Sequence, residues 1–190
     1  MERIYIQDKN FDKEDFTGKI LTVADYENCT FNNCDFSNWD LSKRVFLDCA
    51  FMTCNLGSAK LHKTAFKTVK FKDCKLLGLH FEDCDDFLFE VGFENCLLNL
   101  ASFYKMKIRK TTFKSCNLSE VDFTETDLAS AVFDNCDLTG TRFENTILEK
   151  ADLRTSYSFS IDPELNKIKK AKFSIHGLAG LLDKYDIEIE

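Results

Sequence analysis

Large apolar residues recur at every fifth position along most of the chain. From Phe11 they fall at Phe16, Leu21, Tyr26, Phe31 and onward in one phase to Phe81, 15 repeats in all. Two extra residues then enter between Phe81 and Leu88. From Leu88 the phase holds through Phe93, Leu98, Phe103, Ile108 and Phe113 to Leu153, another 14 repeats. Two residues before the large one sits a small or thiol-bearing residue, as in Thr111, Cys116, Val121, Thr126, Ala131 and Cys136. The other positions are mostly polar. A period of five fits neither a helix nor a plain strand. In extended backbone, residues two apart point to one side. The small and large residues therefore both face inward, the residue between them faces out, and the last two of each five turn a corner. An internal repeat of this kind means a solenoid.

The columns give the number of sides. Cys34, Cys54 and Cys74 are spaced by 20, as are Cys96, Cys116 and Cys136, with 22 between the two sets. Phe11, Phe31, Phe51 and Phe71, then Phe93, Phe113 and Phe133, carry the same two-residue correction. A coil therefore takes four repeats. The chain is expected to form about seven 20-residue coils whose backbones pair as in a parallel sheet, a rod ~34 Å long. Large and small residues alternate around its thin core.

Departures from the pattern mark expected irregularities. Lys9, Glu14 and Lys19 occupy the small slot, so the first coil is expected to be open or frayed. Trp39 and Arg44 occupy it next, and a bulky ring and a buried charge predict a local distortion there. Asp85 and Asp86 lie in the insertion and predict an outward bulge. The chain divides into a repeat region, 1–155, and a tail, 156–190. In the tail, Ala171-Lys172-Phe173 falls 20 residues beyond Ala151-Asp152-Leu153 and predicts a last return of the coil. Ser174 is placed to cap a short helix from Ile175 to Lys184, with Leu178, Leu181, Leu182 and Tyr185 as its apolar stripe. Residues 186–190 alternate like a strand, with Ile187 and Ile189 on one face.

Composition narrows the chemistry. The 190 residues carry a net charge of −7 and nine cysteines. An odd thiol count and no apolar leader in MERIYIQDKNF point to reduced cysteines in the cytoplasm. No apolar run approaches a membrane span, and the acidic balance disfavours direct nucleic-acid binding. All nine cysteines stand in the small inward slot. A straight row of thiols does not supply zinc's tetrahedron, so they are read as packing. His62, His80 and His176 do not share a column. Asp15, Asp25, Asp35, Asp40, Asp122, Asp127, Asp137 and Asp152 stand just before a large residue, where a carboxylate bonds the turn backbone. There is no phosphate loop, nucleophile elbow or dinucleotide fingerprint. No catalytic residue, metal or cofactor is expected. Charge is banded along the chain: residues 58–75 sum to +5, 82–96 to −6, 105–114 to +5 and 115–149 to −7.

Three runs, Cys116-Asn117-Leu118-Ser119-Glu120, Cys136-Asp137-Leu138-Thr139-Gly140 and Ala151-Asp152-Leu153-Arg154-Thr155, resemble the pentapeptide-repeat family motif: small residue, Asp or Asn, Leu or Phe, two polar residues. The resemblance covers residues 11–155 and implies an all-β fold, a right-handed quadrilateral parallel β-helix with a short C-terminal helix and strand. The tail, at IDPELNKIKKAKFS, resembles the quinolone-resistance and microcin-immunity branch, where such a tail pairs two subunits head to head. That implies a homodimer through Leu178, Leu181, Leu182, Tyr185, Ile187 and Ile189. It also implies a DNA-mimicking binder of a type II topoisomerase, DNA gyrase or topoisomerase IV, with Glu120, Asp122, Glu125, Asp127, Asp137 and Glu144 exposed to the partner. The alternative is a structural or interaction module, or a toxin-immunity factor, with another partner.

Overall fold

The computed structural model describes residues 4–13 and 23–188. The chain winds as a four-sided, all-parallel β-solenoid. One coil names the sides: Phe113, Leu118, Phe123 and Leu128 lie on the first, second, third and fourth. The first side is a seven-stranded sheet running from Asn10–Asp12 to Val132–Asp134, so six turns separate its end strands. Its register is 20 residues, as in Phe31 opposite Phe51, except that Phe71 faces Phe93. Isolated bridges carry this side on to Asp152 and Lys172, so the return at Ala171–Phe173 is formed. The fourth side begins as a four-stranded sheet, Ile4–Gln7, Ala24–Glu27, Val45–Leu47 and Ala65–Lys67. Ile4 already pairs with Ala24, so the winding starts before Phe11. Phe16, Leu21, Glu14, Lys19 and Asp15 lie outside the described residues.

The corners solve a backbone problem with side chains. Two residues after each large one the chain turns left-handed: Ser115 (φ 51), Glu120 (φ 58), Glu125 (φ 56), Ser130 (φ 62). Such angles favour Gly or Asn, and Asn28, Asn33, Asn38, Asn95, Asn135 and Asn145 stand at six of them, Gly78 and Gly140 at two more. Many corners close through a turn, as when Thr126 N–H donates to Phe123 O at 3.1 Å. The outward carboxylate completes them: Asp122 Oδ1 accepts from Thr124 N–H at 2.8 Å, and Asp35, Asp40 and Asp137 do the same.

Inside, Phe11, Phe31, Phe51, Phe71, Phe93, Phe113 and Phe133 form one ladder of stacked rings, 4.7–5.5 Å apart. A second ladder, Phe81, Phe103, Phe123 and Phe143, stacks on the third side and meets the first edge-on. In the small slot, side chains donate to the carbonyl of a large residue one coil back. Thr126 Oγ1 reaches Phe103 O at 2.7 Å, and Cys136 Sγ reaches Phe113 O at 3.3 Å. The thiols are therefore small apolar fillers with a weak donor. All nine cysteines are free; eight are buried and Cys84 is half-buried. Burial pushes the Cys49 thiol up to about 12, and burial followed by the charges of Asp83, Glu82 and Asp85 raises that of Cys84. Since the coil walls keep reagent from the sulfurs, the folded protein should leave Ellman's reagent almost unconsumed over an hour. Guanidinium should release all nine thiols. Rapid reaction of several in the native state would refute the packing role.

Three expectations need correction. The backbone at Trp39 and Arg44 is not distorted: Trp39 O accepts from Lys60 N at 2.7 Å and Arg44 O from Ala65 N at 2.9 Å. The half-buried indole packs edge-on to Phe36, and Arg44 Nη1 donates to Asp40 O at 2.8 Å and Ser42 O at 3.2 Å. The cost of burying the charge shows as a lowered Arg44 pKa. At the insertion, the inward residue is Phe89, edge-on to Phe66 and Phe81, and not Leu88. The ladder resumes where Glu90 N–H donates to Phe66 O, which turns Phe89 in. Leu88 takes a left-handed corner and is 65% exposed. The bulge is present but begins after Asp85, whose N–H still donates to Thr64 O at 2.9 Å, and it carries Asp86 and the exposed Phe87 outward. Lastly, Asp186–Glu188 form no strand, since Asp186 turns left-handed where an extended strand would have to begin. Ile189 lies outside the described residues.

The tail helix is 3₁₀ in form, Ile175–Leu181 followed by Asp183–Tyr185. Ser174 caps it as expected, its Oγ accepting from Gly177 N–H at 3.1 Å. It lies over the last coil, where Ile161 N–H donates to Gly180 O at 2.8 Å and Lys184 Nζ bridges Asp162 (2.8 Å) and Glu164 (2.7 Å).

Candidate interaction surface

The third side gathers four of the six expected carboxylates. Ser102, Asp122 and Arg142 form one ladder there. Glu120 and Glu125 occupy the corners on either side of Asp122, and Glu144 follows on the next coil. Cations stand among them. Arg142 lies 3.9 Å from both Asp122 and Glu144, and Lys105 lies 3.6 Å from Glu125. Pairs this exposed are worth ~0–1 kcal/mol each, so they trim the local field and leave Glu120 free of a salt bridge.

The other two carboxylates are elsewhere. Asp137 is on the second side, in the ladder Asn117, Asp137, Tyr157, and also accepts from Thr139 Oγ1 at 2.6 Å. Asp127, expected to be exposed, is on the fourth side and only 6% exposed. Arg109 grips its Oδ2 with two N–H donors, Nη2 at 2.6 Å and Nε at 2.7 Å, while Oδ1 accepts from Ala129 N–H at 3.1 Å. A buried carboxylate with both oxygens engaged is withdrawn from any partner.

The charge bands have a physical reading in the fold. Bands of opposite sign are neighbouring coils. Glu94 sits between Lys114 at 3.4 Å and Lys72 at 3.5 Å, and Lys114 first, then Lys72, hold its carboxyl below the usual range. Sequence reasoning missed these partners. The signal was opposite charges 20 residues apart, as in Lys105 and Glu125 or Asp122 and Arg142.

Of the tail residues, Leu178, Leu182, Tyr185 and Ile187 are exposed, whereas Leu181 packs against the chain's own core. His80 Nδ1 meets Glu82 at 3.0 Å. Among the described residues no group of His, Cys, Asp or Glu could hold a metal, and no helix is long and apolar enough to cross a membrane.

A four-sided parallel solenoid of five-residue repeats, with charged outer faces and a core of stacked Phe, defines the class. Residues 24–85 and 87–157 match the pentapeptide repeat region, and the chain belongs to the pentapeptide-repeat family. Among solved structures it is similar to full-length QnrB1, described as a plasmid-mediated fluoroquinolone resistance protein. Identity is 19% and TM-score 0.55, over 96% of this chain and 100% of that one. A trypsin-treated QnrB1 variant gives 21% and 0.51, over 99% and 98%. HetL, a pentapeptide repeat protein involved in heterocyst differentiation regulation from the cyanobacterium Nostoc, gives 14% and 0.41, over 91% and 87%. At these identities the likeness is one of fold. No curated protein matches the sequence.

Proposed function

We propose that this chain is a non-catalytic binding rod that imitates the charge of duplex DNA toward a type II topoisomerase, as in quinolone-resistance protection. The carrying observation is the clustering of Glu120, Asp122, Glu125 and Glu144 on the third side within two adjacent coils. Coils are ~4.8 Å apart, while B-DNA presents one charge per ~1.7 Å of axis. The three carboxylates of the first coil approach that density, with Glu144 extending them on the next, and a basic DNA groove would accept them by complementarity. The similarity to a fluoroquinolone resistance protein supports the same direction. The exposed Leu178, Leu182, Tyr185 and Ile187 at the capped end fit a homodimer formed through the tail.

The test is gyrase supercoiling, with and without a quinolone, across a salt series. The protein should alter supercoiling or protect the enzyme, and the effect should fade as salt rises. Glu120→Lys, Asp122→Lys and Glu125→Lys together should abolish it while the circular dichroism stays that of the wild type. No effect at micromolar protein would sink the proposal. A second reading, an interaction module or toxin-immunity factor with a different partner, draws on Arg142 and Lys105 standing within the acidic cluster. It expects no response from gyrase at any salt.

A further inference from the structure

The fourth side has the opposite character from the third. Lys107, Asp127, Ile147 and Lys167 form one ladder down it. The corner beside it carries Lys110, Ser130, Lys150 and Lys170, joined to the next coil where Lys110 N–H donates to Ala129 O and Lys150 N–H to Lys169 O. Lys72, Lys105 and Lys114 elsewhere on the rod all have carboxylate partners. Among the described residues, Lys107, Lys110, Lys150, Lys167, Lys169 and Lys170 have none within 4.0 Å. From the insertion downward the acids on this side are Asp85, Asp86, Glu90, Asp127 and Glu149, and Asp127 is already held by Arg109; Asp25, Glu27 and Asp48 lie farther up the same side. In a chain of net charge −7, the lower part of this side thus sets six lysines against Glu149 and the Arg109-held Asp127.

Two grooves run along it and share Arg109 and Lys110. The upper, about 740 Å³, is floored by Leu47, Val69, Leu88, Phe89 and Val91 at the insertion. Gly92 lies in its wall, and a Cβ built there would meet nothing within 4 Å. The lower, about 390 Å³, is bordered by Lys110, Lys150 and Lys167. Leu88 at the upper end is 65% exposed. The surface is therefore apolar at one end and cationic along the rest.

We propose that the fourth side is a docking surface for an extended acidic segment of a partner protein. The segment's apolar side chains would seat against Leu88 and Phe89, and its carboxylates would lie along Lys110, Lys150 and Lys167. Charge complementarity selects an anionic partner, and the apolar groove selects a peptide over a phosphate backbone. The lysines below the groove have no aromatic ring among them on which a base could stack. This surface is separate from the third-side carboxylates and does not depend on their role.

The experiment is fluorescence anisotropy with the full chain and three labelled probes: a peptide of alternating Glu and Leu, an all-Glu peptide of equal charge, and a single-stranded oligonucleotide. The Glu-Leu peptide should bind tightest, with affinity falling as salt rises. Lys110→Glu, Lys150→Glu and Lys167→Glu together should weaken it about tenfold or more, about 1.4 kcal/mol. Leu88→Ser should weaken the Glu-Leu peptide and leave the all-Glu peptide unchanged. Lys43→Glu with Lys63→Glu, on the third side, should change neither. If the triple reversal fails to fold, Lys→Gln at the same positions gives the same test with a smaller loss. Tighter binding of the oligonucleotide, no peptide binding at millimolar protein, or an unaltered affinity in the fourth-side variants would each overturn the proposal.

Discussion

Phe113→Ala should cost about 3–5 kcal/mol, a large part of the ~5–15 kcal/mol that holds an ordinary domain together. Phe113 is fully buried and stacks on Phe93 and Phe133 at 5.1 Å each, while Phe103 and Phe123 meet it edge-on. Its loss opens a cavity that rigid backbone ladders on four sides cannot close. A solenoid is held by nearest-neighbour coils, so the weakened coil should also divide the rod. Trp39, the only tryptophan, sits in an early coil and reports on that end. In urea, circular dichroism should therefore lose amplitude before Trp39 fluorescence does, whereas the wild type should show the two together. Phe113→Leu keeps a large apolar residue and should cost under ~1.5 kcal/mol. Coincident transitions in Phe113→Ala with a loss below ~1 kcal/mol would show that the ring ladder is not what joins the coils.

How much of this could be read from sequence follows from which interactions are local. The inward column is a steric rule that each repeat obeys alone, so Phe31, Phe51 and Phe71 revealed the sides and the coil length. The outward Asp of each turn bonds backbone two residues on and was equally legible. The insertion was not. Leu88 and Phe89 are both large and apolar, and only the point at which Glu90 rejoins Phe66 decides which one faces in. Charge was misread for a similar reason. Bands along the chain are coils along the axis, but a surface is a side of the rod and draws one residue from each coil. Folding that order in scattered the expected acidic set: Asp127 went to the fourth side and Asp137 to the second, while Glu120, Asp122, Glu125 and Glu144 stayed together. Arg44 was judged by its charge, and the carbonyls of Asp40 and Ser42 that accept from it are invisible without coordinates.

Gly180→Ala should detach the C-terminal cap while leaving the coils intact. Nothing in the sequence marks this glycine, since its backbone angles do not require one; the constraint is a close approach. A Cβ built on Gly180 falls onto the Phe159 carbonyl oxygen and within 2.9 Å of its ring. The oxygen belongs to a backbone fixed by the last coil, so the cap must move. At Gly177 the clash is only with the ring of Phe159, at 2.8 Å, and a side chain can yield. Overpacking costs about 1–3 kcal/mol, and the Ile161 N–H would lose Gly180 O for about 1 kcal/mol more. Lys184 would also leave Asp162 and Glu164. That tether is electrostatic, and Lys184 holds the Asp162 carboxyl below its ordinary 3.8. A depressed carboxylate contributes above the ordinary range and is lost as pH falls through its folded value, so the comparison belongs at neutral pH, where the tether is intact. There the Ile161 amide should exchange with solvent far faster in Gly180→Ala than in the wild type, and Gly177→Ala should fall between them. The Phe133 amide, deeper in the rod, should keep its protection in all three. Unchanged protection of Ile161 in Gly180→Ala would mean that the cap can shift without opening. Exposure of Phe133 as well would mean that the cap holds the terminal coils together, and would overturn the prediction that the coils stand without it.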